Sequence, residues 1–449
     1  GLGDVYKRQT RAAGDTGYPF NDELLPMQWH LINRGNLFGD KSIVDADVQC
    51  EEAWKSSTGD KSIIVAVLDE GVMVEHPDLK NSMWVNEGEV YRSKQDNDGN
   101  GYKGDVYGYN FVFETGVISW DDINDTGHGT HVAGVIAAQN NNGIGISSIA
   151  GGNGDIPGVK IMSCQIFSGN DATSGAITTS AEAIKYAADN GAAIIQCSFG
   201  SKAGAYTSDS AYERGSGVQY NAIKYFIESQ NCDAVGGGVV IFAAGNDATA
   251  MSGYPGAYHD YISVTSFSPD YLPAYYTNYG PGCNISAPGG DYKISADAAK
   301  TYAEVLSTVP SELSEYNGAD YGFMQGTSMA CPHVSGVAAL GLSYALEKGK
   351  KFTLDEFKTM ILTSVNDMET YLDGSKTGLV LADYRKKMGT GSIDAYQLLM
   401  QVEGTPCLRA KVGTKQLVAL TKYFGGSASN LTYLRVEMTR ENMDKLGIT

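Results

Sequence analysis

Four stretches of this chain carry residue types that together could activate a hydroxyl. Gly326-Thr327-Ser328-Met329-Ala330 delivers a serine onto a run of small and apolar residues that continues to Leu340. At a helix N-terminus that hydroxyl would lie beside unpaired N–H groups and the positive dipole end, where a developing oxyanion is stabilised. Gly326, lacking a Cβ, would let another backbone come close. Pro332 would fall in the first turn, where N–H groups lack intrahelical partners. Asp125–Ala138 repeats the pattern, with a glycine-flanked turn setting His128 at the start of a small-residue helix. The positive helix end would discourage protonation and leave the imidazole neutral, able to act as a base. Asp69 ends the apolar run Ile63–Leu68, and Asn246 follows the run Val239–Ala244. Each also has a plainer reading: Ser328 as an N-cap, Asp69 and Asn246 as turn residues after strands. His128 and His131 are three apart but lack the HExxH pattern of a zinc pair.

These residues can cooperate only if the elements carrying them converge. The runs Ile63–Leu68 and Val239–Ala244 are continuously apolar rather than alternating, the mark of strands buried on both faces of a parallel sheet. Further strands are expected at Val106–Val112, Val159–Phe167, Ala192–Ser198 and Tyr261–Phe267. Helices are expected at Val44–Trp54, Ser180–Asn190, Val218–Gln230 and Leu354–Val365. Such alternation predicts an α/β fold with a doubly wound, mostly parallel sheet and helices on both faces. Chemistry in such sheets gathers at the carboxyl ends of the strands, where Asp69 and Asn246 lie.

With 449 residues the chain has room for one large domain and extra pieces. Residues 1–20 are polar and expected to be a disordered leader or a fragment artefact, since Gly1–Gln9 has no apolar signal core. Asn21–Asn36 is amphipathic and expected to pack as an arm on a main domain spanning 21–402. Residues 403–449, with strand-like segments in Cys407–Tyr433, are expected to open a C-terminal β region. The formal charge of -19 argues against nucleic-acid and anionic-membrane partners and suits a protein that binds cations. No run of about 18 apolar residues is present to span a membrane. Seven scattered cysteines form no CxxC pair, and Cys164 and Cys197 lie in apolar runs as packed thiols.

Asp96-Asn97-Asp98-Gly99-Asn100-Gly101 matches the opening of a calcium loop, with Asp96, Asp98 and Asn100 as donors. Tyr107 at the twelfth position excludes an EF-hand. A looser calcium site and a plain acidic turn remain equal readings.

The order Asp69, His128, Ser328, with Asn246 between the last two, is the order found in subtilisin. The motifs Val67-Leu68-Asp69-Glu70-Gly71, His128-Gly129-Thr130-His131-Val132-Ala133-Gly134, Ala244-Gly245-Asn246 and Gly326-Thr327-Ser328-Met329-Ala330 resemble those of the subtilases over about residues 21–402. The resemblance implies a subtilisin-like serine endopeptidase with Ser328 as nucleophile, His128 as base and Asp69 orienting the ring. Asn246 and the Ser328 N–H would form the oxyanion hole. Ser198, Phe199 and Gly200 would pair with extended substrate and form one wall of a specificity pocket. Ala243, Ala244 and Gly245 would form the other wall, with Gly253 near the base. With no acid obvious in these segments, the pocket is expected to be roomy and apolar. Asp78, then Gln139 and Asn142, resemble ligands of the family's strong calcium site.

A monomer acting on protein or peptide substrates, secreted or at the cell surface, is the matching expectation. Glu70 departs from the pattern, standing where Ser or Thr is more usual. Segments 201–238 and 290–322 look expanded and could shape or cover the cleft. Two rival readings are weaker. A non-catalytic binding module would gain nothing from keeping all four residues, and an esterase on another α/β fold would need G-x-S-x-G.

Overall fold

The computed structural model describes residues 17–37, 41–169, 177–294 and 300–405. In chain order the main elements begin with α1 (Cys50–Ala53), β1 (Ile64–Asp69), β2 (Gly108–Asn110), α2 (His128–Ala137) and β3 (Lys160–Gln165). Next come α3 (Ile177–Asp189), β4 (Ile194–Cys197), α4 (Asp209–Gly215), α5 (Gly217–Ile227), β5 (Val235–Gly236) and β6 (Val239–Ala243). They are followed by β7 (Ile262–Phe267), β8 (Ile285–Pro288), β9 (Val305–Thr308), β10 (Tyr321–Met324) and α6 (Thr327–Glu347). The chain then adds β11 (Phe352–Thr353), α7 (Leu354–Thr363), β12 (Val365–Asn366), β13 (Ser392–Ile393) and α8 (Ala395–Glu403).

Nine strands form one sheet in the order β12-β13-β8-β7-β6-β4-β1-β3-β2. Every pairing in it is parallel except β12 with β13. The α/β expectation is therefore met, and the periodicity explains why. Along β1, Val65 and Val67 face a core shared with Val132 and Val135 of α2 and Val334 and Val337 of α6. Ala66 and Leu68 face the opposite core, with Tyr186 of α3 and Phe226 of α5. Both faces are covered, so both halves of the alternation are apolar. Each fully buried Val, Leu or Ile contributes about 1.5–3 kcal/mol.

From β1 the sheet grows one way through β3 and β2, and the other way through β4, β6, β7 and β8. This reversal makes the carboxyl end of β1, at Asp69, the place where such sheets leave a crevice.

Several boundaries differ from expectation. Asp45 and Gln49 hold left-handed backbone, with φ of 64° and 60°, so the expected helix 44–54 shrinks to α1. The arm is not a regular helix, yet Leu25, Trp29 and Leu31 are fully buried and the Trp29 Nε1–H donates to the Glu304 carbonyl at 2.9 Å. Tyr18 and Phe20 also pack on the core, Phe20 4.6 Å from the Trp54 ring centre, so the expected disorder does not reach residues 17–20. Residues 1–16, and the expected β region beyond residue 405, lie outside the described residues.

The expanded segment 201–238 supplies α4 and α5. Segment 290–322 supplies β9, which pairs antiparallel with β10 and packs on α2. Among the described residues, α6 is long and apolar enough to cross a membrane, but 94% of its most apolar 18-residue window is buried, as befits a core helix. Cys164 and Cys197 are buried free thiols, as expected.

Candidate active site

Asp69 stands at the last position of β1, with its side chain 3% exposed. Its Oδ1 accepts from His128 Nδ1 at 2.7 Å and from the Glu70 N–H at 2.8 Å. The ring must therefore be protonated at Nδ1 when neutral, leaving a lone pair on Nε2. Burial opposes charge on His128, but the Asp69 carboxylate, its hydrogen bond and the nearby Glu70 outweigh it, and the pKa lies above the ordinary 6.5. This reverses the expectation that the helix terminus would keep the pKa down. Full carboxylate charges at short range exceed the partial charge of a helix end.

Ser328 is the second residue of α6, partly exposed. Its Oγ donates to the Ser198 carbonyl at 3.2 Å, and no hydrogen bond joins it to the His128 ring. Such contacts commonly tighten only when substrate is bound. Pro332 is not in the first turn, as expected, but the sixth residue of the helix. There it cannot supply the N–H that would pair with the Ser328 carbonyl four residues back. That carbonyl accepts instead from the Ser198 hydroxyl at 2.7 Å.

Asn246 is exposed just past β6. Its Oδ1 accepts from the Thr327 N–H at 2.9 Å and the Thr327 Oγ1–H at 2.8 Å. Thr327 thus orients the carboxamide, a role not foreseen from sequence. A Cβ built on Gly326 would lie 3.5 Å from Ser328 N and 3.6 Å from Asn246 Nδ2. Two N–H donors therefore border the same small space. Another backbone does come close to Gly326, as expected: the Gly289 carbonyl accepts from the Gly326 N–H at 3.0 Å.

Ser198, Phe199, Gly200, Ala243, Ala244, Gly245, Gly253, Asn246 and Ser328 all line one cleft. A second depression, lined by Asp69, Glu70, His128 and Phe167, shares Ser198 and Phe199 with it. The structure thus brings together all the residues singled out for chemistry and for the cleft. Asp247 also lines the cleft, which is less apolar than expected.

The expected metal ligands divide into two groups. Asp78 is buried, and its carboxylate accepts from Asn142 Nδ2 at 2.6 Å, the Ile146 N–H at 3.1 Å and the Tyr321 hydroxyl at 3.2 Å. Burial pushes its pKa up to about 7. A buried carboxylate contacted only by neutral donors fits a hard cation, and Asn142 turns its amide nitrogen toward it while its Oδ1 accepts from the Ile144 N–H at 3.0 Å. Gln139, however, spends its Oε1 on Asn81 Nδ2 at 2.8 Å.

In the acidic loop, Glu89, Asp96 and Asp98 each bring a carboxylate oxygen within 4.8 Å of the others. Asn100 lies in the same loop, where its Nδ2 donates to Asp98 and Asp105 and its Oδ1 accepts from the Tyr102 N–H at 2.7 Å. Nothing local in the sequence marks Glu89, seven residues before Asp96, so sequence reasoning passes over it.

Comparison with known proteins agrees with this fold. The model of the subtilase family matches residues 60–385. The chain is 31% identical to the thermophilic serine proteinase of Bacillus sp. (strain AK1) over 64% of this chain and 54% of that one. It is 27% identical to the extracellular basic protease of Dichelobacter nodosus over 81% of this chain and 55% of that one. It thus spans about half the length of these curated relatives. A solved protease of Pseudoalteromonas arctica superposes with a TM-score of 0.58 and 27% identity, covering 85% of this chain and 99% of that one. A nine-stranded sheet with Asp69, His128, Asn246 and Ser328 gathered at one end, matched over residues 60–385, places this chain in the subtilase family.

Proposed function

We propose that this chain is a serine endopeptidase that hydrolyses extended peptides through an acyl-enzyme. The observation that carries the reading is the 2.7 Å bond from His128 Nδ1 to Asp69, which leaves Nε2 as a base beside the cleft that Ser328 lines. Membership of the subtilase family, and the name of the Bacillus relative as a serine proteinase, support it.

In this mechanism Ser328 Oγ attacks the scissile carbonyl carbon while its proton passes to His128 Nε2. The oxyanion accepts from the Ser328 N–H and Asn246 Nδ2. Collapse breaks the C–N bond, and the departing amine takes the proton from Nε2. Water then attacks the acyl group with His128 again as base, freeing Ser328. Asp69 holds the tautomer and offsets the imidazolium charge.

Phe199 and Gly200 lie beyond the last paired residue of β4, so they are proposed to receive substrate backbone by strand addition. The cleft walls of Ala243, Ala244 and Gly245 would hold the side chain preceding the cut. Calcium is proposed at Glu89, Asp96 and Asp98 and beside Asp78 and Asn142, where it would supply positive charge that holds loops in place. Action outside the cell as a monomer completes the proposal, supported for location by the name of the Dichelobacter relative.

Incubation with casein tests the activity. Wild type should release peptides, and Ser328→Ala should not. Equal digestion by both would end the proposal.

A further inference from the structure

We infer that Glu70 is a positioning residue for the reaction: its carboxylate caps the helix that carries His128, so that one strand end grips both the backbone and the ring of the same residue. This inference rests on the peptidase reading above.

The helix begins without means of its own. Its N-cap is Gly127, which has no side chain to accept a bond, and its first turn contains no acid. Helices in that position leave N–H donors unpaired and a positive dipole end uncompensated. Glu70 supplies both needs from the end of β1. Its Oε2 accepts from the His128 N–H at 2.9 Å and the Thr126 N–H at 3.1 Å, and the Thr126 hydroxyl donates to both carboxylate oxygens at 3.2 Å. The neighbouring residue, Asp69, meanwhile takes the His128 ring through Nδ1.

The approach of helix to strand depends on Gly129. A Cβ there would collide with the Glu70 carbonyl oxygen and would lie 3.3 Å from the Asp69 Cβ. Consecutive carboxylates on one strand end therefore fix the position, the orientation and the electrostatic setting of a single histidine.

The charges around His128 are few. Asp69 ends β1 and Glu70 follows it directly, and both favour the imidazolium. Asp125, in the loop ahead of the helix, acts on Glu70. His131 lies one turn further on and is itself held neutral by burial. The Tyr316 hydroxyl donates to the Thr126 carbonyl at 2.7 Å, closing the same loop from the hairpin side. Removing the charge of Glu70 should therefore lower the pKa of His128 without touching its ring.

The test uses Glu70→Gln, which keeps an acceptor oxygen but no charge, and Glu70→Ala, which keeps neither. The acidic limb of kcat/KM should move to lower pH in both. Glu70→Ala should in addition lose kcat by roughly 10- to 100-fold, the scale of a misplaced catalytic group, with KM little changed. In a Ser328→Ala background, the His128 ring titration followed by NMR should show the same downward shift for Glu70→Gln. Unmoved titration and an unmoved acidic limb in Glu70→Gln would overturn the inference, as would a Glu70→Ala protein with wild-type kcat. The NMR readout needs no turnover. Ser328-independent hydrolysis would therefore overturn the peptidase reading while the titration still judged Glu70.

Discussion

Ser328 and Ser198 hold each other by two reciprocal hydrogen bonds, Ser328 Oγ to the Ser198 carbonyl and Ser198 Oγ to the Ser328 carbonyl. The second exists because Pro332 leaves the Ser328 carbonyl without its helical partner. Ser198→Ala should therefore strand that carbonyl and destabilise the protein by about 1–3 kcal/mol. In a Pro332→Ala background the restored N–H can take the carbonyl, so the same change should cost less. Urea unfolding of the four proteins measures the coupling. Equal costs in both backgrounds would show that the proline has no part in it.

Asn246 is held by Thr327 so that its amide N–H₂ borders the same space as the Ser328 N–H. Asn246→Ala should lower kcat by roughly 10²–10³ with KM nearly unchanged, the size associated with one lost oxyanion donor. Steady-state kinetics on a peptide substrate decide it. A drop confined to KM would assign Asn246 to ground-state binding instead.

Burial holds the His131 pKa down, from 6.5 to about 3. A depressed folded value means that the unfolded chain binds the proton first as pH falls. The stability tied to His131 is therefore intact above about pH 6.5 and is lost progressively toward pH 3. The difference in unfolding free energy between wild type and His131→Gln should shift against wild type across that window. A difference independent of pH would contradict the account.

Calcium should raise the melting temperature and a chelator should lower it. A cation at 100 times its Kd adds about 2.7 kcal/mol to stability. Asp98→Asn should lose part of this response, since Asp98 is one of the three clustered carboxylates. Identical melting with and without calcium would remove both proposed sites.

What the sequence revealed follows from how each element is buried. Strands β1 and β6 could be read because both of their faces are apolar. Strand β8 could not. It is four residues long, and its buried Ser286 meets its needs through the Met388 carbonyl at 2.7 Å and the Thr265 hydroxyl at 2.6 Å. Nothing in Ile285-Ser286-Ala287-Pro288 announces such a strand.

The chemistry-bearing residues were legible because each borders a recognisable run, Asp69 and Asn246 at or just past the ends of strands, His128 and Ser328 at the starts of helices. Their environment was not. The direction of the His128 pKa depends first on Asp69 and then on Glu70, both reaching a helix that begins 59 and 58 residues after them. The role of Pro332 depends on where its helix begins, and Glu89 joins Asp96 and Asp98 only once the loop between them closes. Such relationships arise between segments, beyond the reach of local pattern.

The most direct test is mass spectrometry of the protein after a fluorophosphonate probe. The account predicts a single covalent adduct on the Ser328 Oγ, abolished by His128→Ala. An adduct on another residue, or labelling of Ser328 that persists undiminished without the His128 ring, would contradict it.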